Sequence, residues 1–226
     1  MSQDCLISPV AVIHTDFPSR FGIPRQAGLV DALRGRIVFE PAFRNDDALR
    51  GLEGFSHIWL IWGFSGNRDH DWSPTVRPPR LGGNVRLGVF ATRSPFRPNG
   101  LGLSCVRLVG LQKEAGLGTT LLVAGADLMD GTPIYDIKPY LPYADCIPEA
   151  SGGFAPGPDS RLAVLFPDGL KEKLPPDRLA ALTEVLAQDP RPPYQEDPDR
   201  IYGMSFAGHE IRFRVEDGSL TVLSID

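Results

Sequence analysis

The chain reads as mainly β, with an N-terminal β-barrel domain over residues 1–150 and a small α+β C-terminal domain over 160–226. Three observations predict this. The first 150 residues are a series of short apolar or β-branched runs separated by Gly, Pro and Asp breaks, which is the pattern of a closed or nearly closed barrel. Residues 151–160 (SGGFAPGPDS) have the composition of a linker, with glycine for freedom and proline to stop pairing. Beyond them, one helical period stands among alternating strands.

The elements follow in order. Residues 6–13 form an apolar run ending at His14-Thr15-Asp16, and 36–39 are short and β-branched. Residues 55–64 (FSHIWLIWGF) are almost continuously apolar and are expected to be buried on both faces, with His57 a satisfied core histidine. Strands are expected over 85–91, 103–111, 119–126 and 133–140, and a short helix over 46–52. In the C-terminal part, 161–166 reads as a strand. Leu179, Leu182, Val185 and Leu186 make one face of a helix over 177–188, with Asp177 as its N-cap. Ile211, Phe213 and Val215 alternate with charges, Asp217-Gly218 supplies a hairpin turn, and 220–225 returns.

Composition narrows the class. The chain is 42% hydrophobic and 23% charged, as in globular proteins with a sizeable core. Cys5, Cys105 and Cys146 are odd in number and far apart, which predicts neither a disulfide framework nor a zinc knuckle, and Cys105 reads as a core residue. The N-terminus does not read as a signal peptide, no segment approaches the length of a bilayer span, and a reducing cytoplasm is expected. There is no GxGxxG after a strand, no Walker A sequence and no HExxH, and no metal ligand set is expected. Gly203-Met204-Ser205-Phe206-Ala207 approaches a nucleophile elbow but ends in Ala207. His14, His57, His70 and His209 are scattered.

Charge is the sharpest local signal. Between Asp71 and Glu114 there is no acid, yet Arg77, Arg80, Arg86, Arg93, Arg97, Arg107 and Lys113 all fall there, in a chain of net charge −5. Arginine suits bidentate contact with phosphate and stacking on bases. The segment 93–102 (RSPFRPNGLG) reads as a stiff loop presenting guanidinium and N–H groups to an anion. A solvated charged face is the plainer account of such a run. Trp72, beside Pro74, Arg77, Pro78, Pro79 and Arg80, could stack on an unpaired base or serve as a packing anchor. From Glu114 to Glu149 the sign reverses, with six acids against Lys138. Asp136 and Lys138 share one face of a strand, as an ion pair on the barrel rim or as part of a site. A pocket where acids and arginines converge suits a sulfonium methyl donor, a small cation that also carries a carboxylate, a ribose and an adenine.

Several strings resemble one family. Gly88-Val89-Phe90-Ala91-Thr92-Arg93-Ser94-Pro95-Phe96-Arg97-Pro98-Asn99, with Gly102 and Ser104, resembles the core signature of the TrmO family. So do Pro24-Arg25-Gln26-Ala27-Gly28, the segment 50–57 (RGLEGFSH), the segment 77–84 (RPPRLGGN), and Asp130-Gly131-Thr132-Pro133 through Asp136-Ile137-Lys138-Pro139-Tyr140. Residues 186–192 (LAQDPRP), with Tyr194, extend the resemblance into the C-terminal domain. Gly100 departs from the proline many relatives carry after the asparagine, and Ser65 from the histidine of some.

The resemblance implies a β-barrel methyltransferase using S-adenosylmethionine. Its target is N6 of threonylcarbamoyl-adenosine, 3′ of the anticodon in a threonine tRNA, and it works as a homodimer with the donor near the subunit contact. By motif position it implies donor contacts at Pro24, Arg25, Gln26, Ser65, Gly66, Arg93, Leu103, Ala124, Gly125, Ala126 and Asp127. In-line transfer requires the nitrogen and the sulfonium to be held about 3–3.5 Å apart. Asp136 is the expected acceptor of the N6 proton, oriented by Lys138 and Tyr140, with Asn99 as its rival. Arg77, Arg80 and Arg97 are expected on anticodon-loop phosphates. A non-enzymatic RNA-binding barrel is the alternative, and a hydrolase using Asp127 or Asp136 a weaker third.

Overall fold

A computed structural model of the chain describes residues 6–67, 71–192, 195 and 197–226; Cys5, His70 and Tyr194 lie outside the described residues. The N-terminal strands are β1 (Ala11–His14), β2 (Arg34–Phe39), β3 (His57–Gly63), β4 (Thr75–Val76), β5 (Leu87–Gly88), β6 (Leu101–Glu114), β7 (Gly118–Ala124) and β8 (Thr132–Pro139). Six of them pair antiparallel in the order β1-β2-β7-β6-β3-β8, and β8 returns to β1, so the sheet closes into a barrel. Alternate side chains point inward. Ile13, Ile37, Leu60, Val106, Leu121 and Ile134 fill the interior.

A barrel wall has only one dry face, and this corrects three expectations. Along β3, Ile58 and Leu60 are buried while Trp59 and Ile61 face outward and are only half-buried. His57 and Cys105, expected in the core, lie on that outer face, where His57 pairs in register with Arg107 and Trp59 with Cys105.

Two local elements also differ. The expected strand over 85–91 is confined to β5, which pairs with β4 in a two-stranded ribbon, and Val89–Ala91 forms a 3₁₀ turn closed by Thr92 N–H on the Val89 carbonyl. The expected helix over 46–52 is two 3₁₀ turns, Asp46–Leu49 and Leu52–Gly54, broken at Gly51 with φ +87°.

After the short helix α1 (Pro142–Asp145) and the linker come β9 (Ala163–Leu165), α2 (Pro176–Ala187), β10 (Tyr202–Phe206), β11 (His209–Glu216) and β12 (Ser219–Ile225). The sheet order is β10-β11-β12-β9, with β9 parallel to β12. Helix α2 buries Ala181, Leu182, Val185 and Leu186 on this sheet. Asp177 is not its N-cap: the helix starts on Pro175-Pro176, whose fixed φ suits a first turn, and Asp177 lies one position inside. The elbow-like segment 203–207 is β10 followed by a hairpin turn at Ala207-Gly208, not a strand-to-helix corner.

Two apolar cores result. The second contains the C-terminal sheet and α2 together with Phe17, Val30 and Leu33 from the loop after β1. Phe17 meets Phe206 edge-on at 5.3 Å, and Ala207 N–H donates to the Asp16 carbonyl at 2.9 Å. The 16–33 loop is therefore packed between barrel and C-terminal sheet. No helix among the described residues is long and apolar enough to cross a membrane.

Candidate functional site

Because neighbouring strands are antiparallel, one barrel end collects the C-terminus of β3, the N-terminus of β6 and the chain leaving β7. A cavity of about 510 Å³ opens there. Pro24, Arg25 and Gln26 reach it from the 16–33 loop, and Thr92, Arg93 and Arg97 from the arginine loop. Ile61, Trp62, Phe64, Leu101, Gly102 and Leu103 form its apolar walls, and Asp127 lies at its base.

The base is built by close approaches. A Cβ on Gly102 would stand 2.3 Å from the Trp62 indole, so glycine lets that ring lie flat across β6. Trp62 Nε1–H donates to Ser104 Oγ at 3.0 Å, and Ser104 Oγ–H donates to Asp127 Oδ1 at 2.6 Å. Phe64 packs on Trp62 at 4.5 Å between ring centroids. Gly28 N–H donates to the Gly125 carbonyl at 2.8 Å. Both glycines have positive φ, and a Cβ on Gly125 would press on the Gly28 backbone at 3.3 Å. This contact carries the 24–28 segment alongside Asp127. Burial pushes the Asp127 carboxyl above the ordinary range, against the hydrogen bond from Ser104, backbone N–H donors including Ala27, and the charge of Arg93. It still faces the cavity.

The rim is cationic and partly engaged. Arg93 hydrogen-bonds the Gln26 side chain. Arg97 Nη1 donates to the Thr92 carbonyl at 2.6 Å and its guanidinium lies 5.8 Å from the Phe90 ring centroid. Asp159 bridges two arginines, with Arg25 Nη1 at 2.6 Å and Arg80 Nη2 at 2.8 Å, so the linker is tied to the cavity wall. Acids from distant segments also hold Arg107 (Asp31) and Lys113 (Asp46). Among the described residues Arg77, Arg86, Arg93 and Arg97 have no ion-pair partner.

The structure thus gathers Pro24, Arg25, Gln26, Arg93, Leu103 and Asp127, with Arg97, around one cavity. Ser65 and Gly66 form a 3₁₀ turn just beyond β3, outside the cavity wall, with Gly66 near Arg20. Ala124, Gly125 and Ala126 lie behind the wall and position Asp127. Asn99 stands at the mouth, in a second cavity. Asp136 and Lys138 form an ion pair at 3.0 Å on the outer face of β8, with Asp136 opposite Ile61. Tyr140 packs near His57 and Trp59, roughly 13 Å further along at strand rise. Arg77 is exposed and outside the cavity. Sequence reasoning missed Ile61, Trp62, Phe64, Thr92 and Leu101 as walls; the aromatic crowding at the end of the 55–64 run was the available signal.

A closed barrel with a carboxylate-based, aromatic-walled, arginine-rimmed cavity at one end defines a binding domain for a small charged ligand beside a polyanion. The family model described as tRNA-methyltransferase O N-terminal domain matches residues 12–146, and that described as TrmO C-terminal domain matches residues 159–226. The chain is 41% identical over 228 residues to the tRNA (adenine(37)-N6)-methyltransferase of Escherichia coli strain K12, covering 96% of each protein. It is 48% identical over 172 residues to the protein of the same name from Eikenella corrodens, covering 76% of this chain and 97% of that one. A crystal structure of TrmO from Pseudomonas aeruginosa superposes with a TM-score of 0.83 at 35% identity, covering 99% of this chain and 98% of the other. The chain belongs to the TrmO family.

Proposed function

We propose that this protein is an S-adenosylmethionine-dependent tRNA methyltransferase that acts on N6 of the adenosine at position 37, as its relatives are named. The observation that carries the reading is Asp127: a carboxylate enclosed beneath aromatic walls and a guanidinium rim, in a cavity within the roughly 300–1,000 Å³ range of small-ligand sites. The residues fit the donor. Asp127 suits its cationic part, Arg93 its carboxylate, and Trp62 and Phe64 its adenine. When bound, S-adenosylmethionine supplies a methyl group on a positively charged sulfur. Ser104 and Trp62 keep the Asp127 carboxylate aimed, and the apolar walls exclude water. Purified protein with isotope-labelled donor and unmethylated tRNA should yield labelled N6-methylated adenosine by nucleoside mass spectrometry. No label in adenosine, with tRNA affinity that ignores the donor, would leave only an RNA-binding barrel.

The finer parts of the reading are a threonine tRNA carrying threonylcarbamoyl-adenosine, a cytoplasmic setting and a homodimer. The outer face of β3 and β6 supports the last. Ile61 and Leu103 belong both to the cavity wall and to an apolar surface with Trp59 and Val109, and Tyr143 is 88% exposed nearby. Asp136 lies in register with Ile61 on this same face, so a second copy seated there by two-fold symmetry would bring Asp136 to the subunit contact. Asp136 then accepts the N6 proton across the subunit contact. Asp136→Asn and Arg93→Ala should each be inactive alone. Mixed and exchanged, they should recover about a quarter of wild-type activity, because half the dimers are hybrids with one intact site. Absence of recovery places Asp136 within its own subunit's site or outside the chemistry.

A further inference from the structure

Beside the first cavity lies a second, of about 310 Å³, lined by Phe90, Arg97, Pro98, Asn99 and Leu101. Arg97 and Leu101 belong to both, so the two are separated by one shared wall. Phe90 is 75% exposed. Its neighbour Val89 is buried, and the Val89 carbonyl accepts from Thr92 N–H at 3.1 Å, Thr92 Oγ–H at 2.9 Å and Arg97 Nη1–H at 3.3 Å. Val89 N–H donates to the Pro74 carbonyl at 3.0 Å. A loop held this firmly keeps its aromatic ring in water by construction. The Asn99 side-chain amide is exposed and makes no hydrogen bond to any described residue. Its own carbonyl accepts from Leu101 N–H at 2.7 Å, and Gly100 O accepts from Phe64 N–H at 2.9 Å, so the backbone carrying it is fixed to the barrel end.

We infer that this second cavity is the acceptor subsite: an adenine taken out of its stack lies on Phe90 and presents its N6–N7 edge to Asn99. The inference rests on the methyltransferase reading and names where that reaction's nucleobase sits. A flat exposed ring is what an unstacked base requires in exchange for its lost neighbours. An amide offers an acceptor and a donor side by side, the complement of the N6–H and N7 of adenine. The guanidinium of Arg97, at 5.8 Å from the Phe90 centroid, closes the wall toward the first cavity, so a base here lies one side chain from the proposed donor site. Phe90 and Asn99 are positioning and specificity residues; neither lines the first cavity.

The test uses the full chain and an anticodon stem-loop with 2-aminopurine at the target position, read by fluorescence, alongside methylation kinetics on the natural stem-loop. Wild type should brighten the probe several-fold on binding as the base leaves its stack. Phe90→Ala should abolish that signal and raise KM for the stem-loop about ten-fold, with donor affinity by calorimetry and melting temperature unchanged. Phe90→Tyr should restore both, because the ring returns. Asn99→Ala should keep the brightening but lose the preference for adenine over guanine at that position. An undiminished signal and normal KM in Phe90→Ala would overturn the subsite. Brightening that depends on Phe90 in a protein that transfers no methyl would uphold the subsite and remove the methyltransferase reading instead.

Discussion

Asp127 is held in its site against the preference of the free fold. Burial raises its pKa, so the folded protein binds protons there more tightly than the unfolded chain does. The linked stability is fully present below the ordinary carboxylate range and is lost as pH rises through the raised value, leaving the free fold destabilised at neutral pH. Asp127→Asn should therefore melt higher than wild type at pH 7 while losing about ten-fold or more in donor affinity, the loss of a charge-assisted contact. Wild-type donor affinity should fall as pH is lowered through the raised pKa, and the variant should show a flat profile. A wild-type profile that is flat over the same window would remove Asp127 from contact with the cation. The sequence drew notice to Gly102, Ser104 and Asp127 separately. That Ser104 donates to a carboxylate 23 residues away depends on the β6–β7 pairing, which no local pattern states.

Among the elements, legibility followed the strength of the period. The alternation of β11 and the apolar stripe of α2 were readable because each buries one face. Strand β10 was not, and Gly203 shows why. A Cβ there would stand 2.8 Å from the Glu210 carboxylate, which folds across the strand and accepts from Ser205 Oγ–H at 2.9 Å. The residues that make this cross-strand contact are poor strand formers by composition. The β10–β11 turn carries a residual strain, since Ala207 has φ +51° with a Cβ to accommodate. Ala207→Gly should relieve it and stabilise the fold by about 0.5–1 kcal/mol in denaturant unfolding. A loss of stability would show that packing of the Ala207 methyl against the C-terminal core outweighs the strain of the turn. The barrel strands were legible as runs and their spacing predicted a closed or nearly closed barrel, whereas the order in which they pair was not, because closure rests on three residue pairs between the four-residue β1 and β8.

At the scale of the molecule, the acid-free arginine run is neutralised in part from elsewhere: Asp31, Asp46 and Asp159 reach Arg107, Lys113 and Arg80 from distant segments. Sequence shows where charges cluster, and topology decides which remain available. The Asp159 bridge has a consequence for how the protein meets its polyanion. Arg25 and Arg80 already carry an internal counter-ion, so an incoming phosphate must compete with a carboxylate belonging to the same chain. Asp159→Ala should tighten tRNA binding at low salt and steepen the dependence of log K on log salt by up to about 1.5, as two more cations become open to phosphate. An unchanged slope would mean that RNA never reaches them. With the bridge intact, grip on the nucleic acid is held below what its guanidinium groups could reach, and a modified product leaves sooner than it otherwise would.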